Sequence, residues 1–300
     1  MSNTFMSSPG LQHQSVGQNE LDGSLWEYCS GKPSLALADW VYSYGGYREN
    51  AGQPVRRLEV PKDRVMLILG FGDRLQIQPV GASPVSSQYG AFVVGFGKQP
   101  LITEHDGMQS CIEVELPPWA VSQLLGTPAP EFTQGPIHLQ DIWGNKAQLL
   151  IEQLSELPTW QARFAWVDRM LSEKASTFST GVLPEIQWAW KQLDVHGGCL
   201  SIRQLAKTIG WSDRYFAVRF REQVGITPKA AARRIRFNRS LRLLEAPDCL
   251  GLSAIAAICG YSDQSHFTRE FHLFSGCSPR AYRSARFTDL LGTPSHIIDA

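Results

Sequence analysis

Residues 259–283 read CGYSDQSHFTREFHLFSGCSPRAYR, and residues 209–233 read IGWSDRYFAVRFREQVGITPKAAAR. The second stretch is a weaker copy of the first, fifty positions upstream. Both place Gly, an aromatic residue, Ser and Asp ahead of apolar residues at helical spacing, then Gly, then Ser or Thr before Pro. Phe267, Phe271 and Phe274 fall at i, i+4, i+7, the stripe of a helix that buries one face. Phe216 and Phe220 repeat at i, i+4 in the upstream copy, while Thr268, Arg269 and His272 point elsewhere on the later turns. A short amphipathic segment precedes each copy, 201–209 before Gly210 and 253–259 before Gly260. Ser201 with Gln204 fits a capping box, so a helix is predicted to start there. A short helix, a tight turn carrying Gly and a second helix make a helix-turn-helix unit, whose second helix lies in the DNA major groove. Two units in tandem are far more specific than one.

Residues 184–286 resemble the DNA-binding domain of the AraC/XylS family of transcription regulators. In the second unit Gly260, Tyr261, Ser265, Phe267, Arg269, Phe271, Gly276, Ser278, Pro279, Tyr282 and Arg283 match the family pattern. In the first, Leu205, Ala206, Gly210, Ser212, Arg214, Phe216, Phe220, Gly225, Thr227 and Pro228 match. The segment between resembles the family's linker helix through Arg236, Leu243 and Leu244. The chain departs from the pattern at Val218, where the first unit usually carries Arg, with Arg219 one place late.

The resemblance implies that Arg214, Ala217 and Val218 of the first unit, and Gln264, Ser265, Thr268 and Arg269 of the second, read bases. Arg suits guanine O6/N7, Gln suits adenine, and methyl groups suit the thymine methyl. Arg219 and Arg221 are expected at phosphates. For any one of these positions the bland alternative is a solvated helix residue; for the Phe positions burial in the core is expected. Arg233, Arg234, Arg236, Arg239 and Arg242 crowd the linker helix, either near DNA or paired with Glu245 or an internal carboxylate.

Composition agrees. The chain has 300 residues, room for two domains, with 43% apolar and 19% charged residues. Its zero net charge hides an asymmetry: residues 183–290 hold 16 Lys and Arg against 9 Asp and Glu, a surplus of +7, and the remainder carries −7. A basic C-terminal third beside an acidic remainder suits a nucleic-acid-binding domain. The six cysteines are scattered, with no Cys-x-x-Cys and no zinc spacing. They imply a reduced, cytoplasmic protein. No signal-peptide pattern opens the chain, and its longest apolar run, 65–70, is too short to span a bilayer.

The N-terminal half reads differently. Residues 1–22 are polar and Ser/Gln-rich, an expected disordered tail. Short strand-like runs follow, around 35–44, 57–60, 65–69, 75–80, 91–96, 100–103 and 110–116, separated by turn residues. Leu75-Gln-Ile-Gln and Ile112-Glu-Val-Glu-Leu alternate cleanly. Helices are expected at 120–126, 142–157 and 160–178. Residues 25–175 resemble a domain of unknown function that often precedes AraC-type domains, through Val60-Pro-Lys-Asp with Val65-Met-Leu-Ile-Leu, Phe92-Val-Val-Gly, Leu124-Leu-Gly-Thr-Pro and Leu139-Gln-Asp-Ile-Trp-Gly.

The expected fold is therefore α+β: a β-rich, barrel- or sandwich-like regulatory or dimerisation domain over 23–175 with trailing helices, a linker over 176–183, and an all-α domain of two helix-turn-helix units over 184–290. Trp26, Trp40, Tyr42, Tyr44, Tyr47, Phe71, Phe92, Phe96 and Trp119 could line a small-molecule pocket or form ordinary aromatic core. Glu104, His105, Asp106 and Glu113 are placed poorly for a metal, since neighbours on a strand face opposite ways. No cofactor, metal or catalytic set is expected. The resemblance implies double-stranded promoter DNA as partner, with RNA polymerase, a small-molecule effector and a second copy of the chain as further partners. Two other readings stay open: an enzyme using the helical domain for targeting to DNA, and a regulator without a ligand.

Overall fold

The computed structural model describes residues 11–18, 25–81, 87–177, 181–246, 250–285 and 293–298. Its N-terminal part holds two antiparallel sheets. The larger runs β1 (Leu11–Gln18), β2 (Leu25–Gly31), β3 (Ser43–Asn50), β10 (Met108–Leu116), β5 (Val65–Gly70), β8 (Ala91–Val94) and β11 (Ile137–His138). The smaller runs β4 (Val55–Glu59), β9 (Leu101–His105), β6 (Leu75–Pro79) and β7 (Ser87–Tyr89).

Strand β5 reads VMLILG and is buried throughout, because both faces of the larger sheet are covered. Val65, Leu67 and Leu69 join Ile112, Val114 and Tyr44 in a core shared with helices. Met66 and Ile68 turn the other way, to Ile77, Phe92 and Cys111 between the sheets. Side chains alternate along a strand, so a doubly covered strand reads as an unbroken apolar run. The covering helices are α1 (Ala120–Leu125), α2 (Leu139–Trp143), α3 (Asn145–Glu156) and α4 (Trp160–Thr177). Phe164 of α4 stacks on Tyr44, ring centroids 5.7 Å apart. Gly46 carries no side chain where the Trp160 ring lies on β3, and a Cβ there would overlap the ring. Asp168 ties α4 down by accepting from the Tyr44 hydroxyl at 2.9 Å and the Ser34 amide at 2.8 Å.

The C-terminal part is helical: α5 (Pro184–Val195), α6 (Ile202–Thr208), α7 (Asp213–Val224), α8 (Pro228–Glu245), α9 (Leu252–Ile258), α10 (Gln264–Ser275) and α11 (Pro279–Ser284). It is packed against the sheets. Trp190 of α5 meets Phe96, Trp119 and Phe220 at centroid distances of 5.9, 6.4 and 6.3 Å. One core thus runs from the larger sheet into the first helix-turn-helix unit. A second core holds Phe237, Phe267, Phe271, Phe274 and Tyr282, and takes in Leu58 of β4 and Ile297 near the C-terminus.

The α+β class and the order of a β-rich part before a helical part are as the sequence predicts. Details differ. Among the described residues there are eleven strands rather than about seven. The expected disordered tail over 1–22 contains β1, which pairs antiparallel with β2; residues 1–10 and 19–22 lie outside the described residues. The strand expected at 35–44 is a 3-10 turn at Leu35–Leu37 followed by the start of β3. The single helix expected at 142–157 is two, broken at Gly144, whose φ of 59° suits only glycine well. Helix α4 extends to Thr177, into the stretch read as linker, of which 178–180 lie outside the described residues.

Candidate functional site

Each helix-turn-helix unit is built by the local signals that mark it. Ser201 accepts from the Gln204 amide at 3.3 Å and starts α6. Gly210, at φ 76°, makes the turn. Ser212 then accepts from the Tyr215 amide at 3.2 Å and starts α7. The second unit repeats the plan with Gly260 at φ 73° and Asp263, which accepts from the His266 amide at 2.7 Å and caps α10. That amide, with smaller help from Ser262 and Arg269, holds the Asp263 carboxyl below the ordinary aspartate range. Gly225 and Gly276 close α7 and α10 in the left-handed conformation.

These caps fix which faces turn outward. On α7, Phe216, Phe220 and Val224 are buried, while Arg214, Val218 and Arg221 form an exposed stripe at i, i+4, i+7. Ala217 is half-buried beside it. Arg219 is also half-buried and pairs with Glu222 at 2.7 Å. Tyr215, exposed on the same helix and edge-on to Trp211, was not singled out by the sequence pattern, although a bulky aromatic between two surface positions was a signal. On α10, Phe267, Phe271 and Phe274 are buried, Gln264, Ser265 and Arg269 are exposed, and Thr268 is half-buried.

The arginines of the linker helix sort themselves by partner. Arg233 lies 2.7 Å and Arg236 3.8 Å from the buried carboxylate of Glu270 on α10. Arg234 is buried, and donates to the carbonyls of Lys62, Phe96 and Gly97 at 3.1, 3.3 and 2.6 Å. Burial lowers its pKa to about 10, against a smaller opposing pull from Asp63. Asn238 donates to the Pro61 carbonyl at 3.1 Å. Arg242 lies 3.9 Å from the Asp63 carboxylate. Helix α8 is therefore bonded on one side to the second recognition helix and on the other to the β4–β5 loop.

That loop also walls a cavity of about 310 Å³ between the two sheets. Its apolar side comes from Met66, Ile68, Phe92, Leu75 and Ile77, and its polar side from Tyr28, Tyr47, Arg57, Glu59, Lys62, Arg64, His105, Gln109 and Glu113. Of the nine aromatics offered for such a pocket, Tyr47 and Phe92 line it; Tyr44, Phe96 and Trp119 are core on the far side of the larger sheet. Glu113 faces the cavity because it alternates with Ile112 and Val114 on β10. His105 is buried, with Nε2 3.0 Å from Arg57 and 3.4 Å from Glu49, and Nδ1 accepting from the Gly107 amide at 3.2 Å. Of the polar set, Tyr47 was offered for a pocket and His105 and Glu113 were weighed for a metal; the rest escaped the sequence because they come from three strands and one loop.

Comparison with known proteins agrees with the C-terminal architecture. Residues 205–285 match a family described as "Helix-turn-helix domain". The chain is 37% identical over 73 residues to the "HTH-type transcriptional activator RhaR" of Pectobacterium carotovorum, a match covering 24% of this chain and 25% of that protein. It is 32% identical over 84 residues to the "Probable transcriptional regulator LumQ" of Photobacterium leiognathi, covering 28% and 34%. The matched region thus spans about a quarter to a third of these relatives. Among solved structures, apo ToxT K231A from Vibrio cholerae aligns over 80% of this chain and 97% of its own, at 12% identity and a TM-score of 0.46, a likeness too slight to argue from.

Proposed function

We propose that this chain, whose residues 205–285 match a helix-turn-helix family, is a sequence-specific DNA-binding transcription regulator of the AraC type that responds to a small molecule held between its two sheets. The observation that carries the reading is the pair of like-capped units, each burying a phenylalanine stripe and turning basic and amide side chains outward. We assign base contacts to Arg214, Ala217, Val218, Gln264, Ser265, Thr268 and Arg269, and phosphate contacts to Arg221 and, once released from Glu222, Arg219. We place the regulatory unit at 23–175 and the DNA-binding unit at 184–290, and propose promoter DNA, RNA polymerase and a second copy of the chain as partners. We read the protein as a binder rather than an enzyme, and as cytoplasmic; among the described residues no helix is long and apolar enough to cross a membrane.

The response to an effector follows from the β4–β5 loop. Lys62 lines the cavity, and its carbonyl accepts from Arg234 of α8. A molecule that shifts Lys62 therefore acts on the helix joining the two units. A ligand moves such an equilibrium only by its difference in affinity for the two states. Binding of the full chain to its own promoter fragment tests the reading: Arg214→Ala with Arg269→Ala is expected to abolish specific binding while leaving the unfolding transition in place. Specific binding that survives both substitutions contradicts it.

A further inference from the structure

The charges around the cavity do not balance. Arg57 is engaged by Glu49, with His105 at 3.0 Å, and Arg64 lies 3.6 Å from Asp63 and 3.8 Å from Glu115. These neighbours occupy two of the three cations that line the space. Glu59, Glu113 and Lys62 remain, and among the described residues none of the three has an oppositely charged group within 4.0 Å. Two carboxylates, Glu59 at an exposed edge and Glu113 half-buried, thus face one half-buried ammonium, and the local balance is negative.

The titration behaviour points the same way. Desolvation by the surrounding walls raises the Glu59 carboxyl pKa, with Lys62 and Arg57 only partly offsetting it, although the residue keeps an exposed edge at the end of β4. For Lys62 burial acts to lower the pKa, yet Glu113, Glu59 and Glu115 outweigh it and raise the value. A second, independent feature lies farther along β10. Gln109 is 6% exposed and lines the cavity, and its side-chain oxygen has no donor. A buried acceptor left without a donor is unfavourable, and a ligand N–H or O–H relieves it. Lys62 and the Tyr28 hydroxyl apart, what the described residues of this wall leave unsatisfied accepts hydrogen bonds or carries negative charge.

We propose that the cavity binds a small amphipathic organic cation, its ammonium or amidinium head beside Glu59 and Glu113 and its hydrocarbon body over Met66, Ile68 and Phe92. Gln109 and Glu113 are four residues apart on one strand, about 13 Å. A second N–H or O–H at the far end of the ligand therefore reaches the Gln109 oxygen. At about 310 Å³ the space sits at the small end of ligand sites, which run from about 300 to 1,000 Å³. The inference rests on the reading of this cavity as the effector site.

The test uses the full chain and three probes of equal length, n-hexylamine, hexan-1-ol and hexanoate, followed by thermal shift and calorimetry. Hexylamine is expected to bind at least about tenfold more tightly than hexanol, the worth of a hydrogen bond to a charged group, and hexanoate not measurably. Glu113→Gln and Glu59→Gln, each checked for an unchanged ligand-free transition, are expected to erase that preference. The wild-type ranking alone decides the matter should either variant fail to fold. Hexanoate binding that Lys62→Met abolishes overturns the cation assignment and keeps the cavity as an effector site. Binding of none of the three overturns both the cation assignment and the effector role, while promoter binding, measured separately, reports on the helix-turn-helix units.

Discussion

Replacing Glu270 by Gln removes a carboxylate that ties the linker helix to the second recognition helix. The carboxylate has only 5% of its side chain exposed; Arg233 lies 2.7 Å away and Arg236 3.8 Å. A hydrogen bond to a charged partner contributes about 1.5–3 kcal/mol. Arg233 is about a third exposed, so solvent screening takes part of that, and the Gln oxygen still accepts. The longer Arg236 contact adds less. The expected loss is about 2 kcal/mol, or a fall in Tm of about 4 °C for a chain this size. Urea unfolding of wild type, Glu270→Gln, Arg233→Met and the double variant gives the pair's own term, expected near 1.5 kcal/mol. Arg233→Met should also leave the salt dependence of DNA binding unchanged. A pair term under about 0.3 kcal/mol, together with a salt slope lowered by about one, would show that Arg233 reaches phosphate and that the ion pair does not hold the unit.

Arg269→Ala should cost about 1–3 kcal/mol at one base position, whereas Arg221→Ala weakens all sequences alike; binding to a site library separates them, and equal uniform losses refute the assignment of Arg269. Val218→Arg introduces the residue that the AraC/XylS pattern carries at this position and should raise guanine preference only in the half-site under α7, read by site selection. Asp263 is held below its ordinary pKa by the His266 amide. Its stabilisation of α10 is therefore present above about pH 4 and lost as pH falls through the lowered value. Asp263→Asn keeps a capping oxygen without the titration, so its acid unfolding curve should lack that component; an unchanged curve refutes the cap's role.

The C-terminal architecture was legible because its determinants are local. Ser201, Ser212, Thr227 and Ser278 each accept from an amide three residues on, and the phenylalanine stripes need no partner elsewhere to be recognised. β5 was legible for the same reason. What escaped depends on contacts between distant segments. Arg234 was expected near DNA or beside a carboxylate, and nothing in the sequence marked Asn238, yet both are buried on carbonyls some 140 to 180 positions away. Glu59, Gln109 and Glu113 look like ordinary wet-face residues on their strands, and only the facing of two sheets gathers them with Lys62 around one cavity. The pattern 142–157 has a helical period on both sides of Gly144, so periodicity alone did not show the break.

The central claim is best tested by selecting duplexes from a randomised pool with the full-length protein and measuring the salt dependence of the winners. The account predicts an asymmetric two-part site whose halves lie about one helical turn apart, sharper under α10 than under α7, and bound with a log–log salt slope of about −5 if some six phosphates are neutralised. A pool that yields no enriched sequence, or binding that does not weaken with salt, would contradict it.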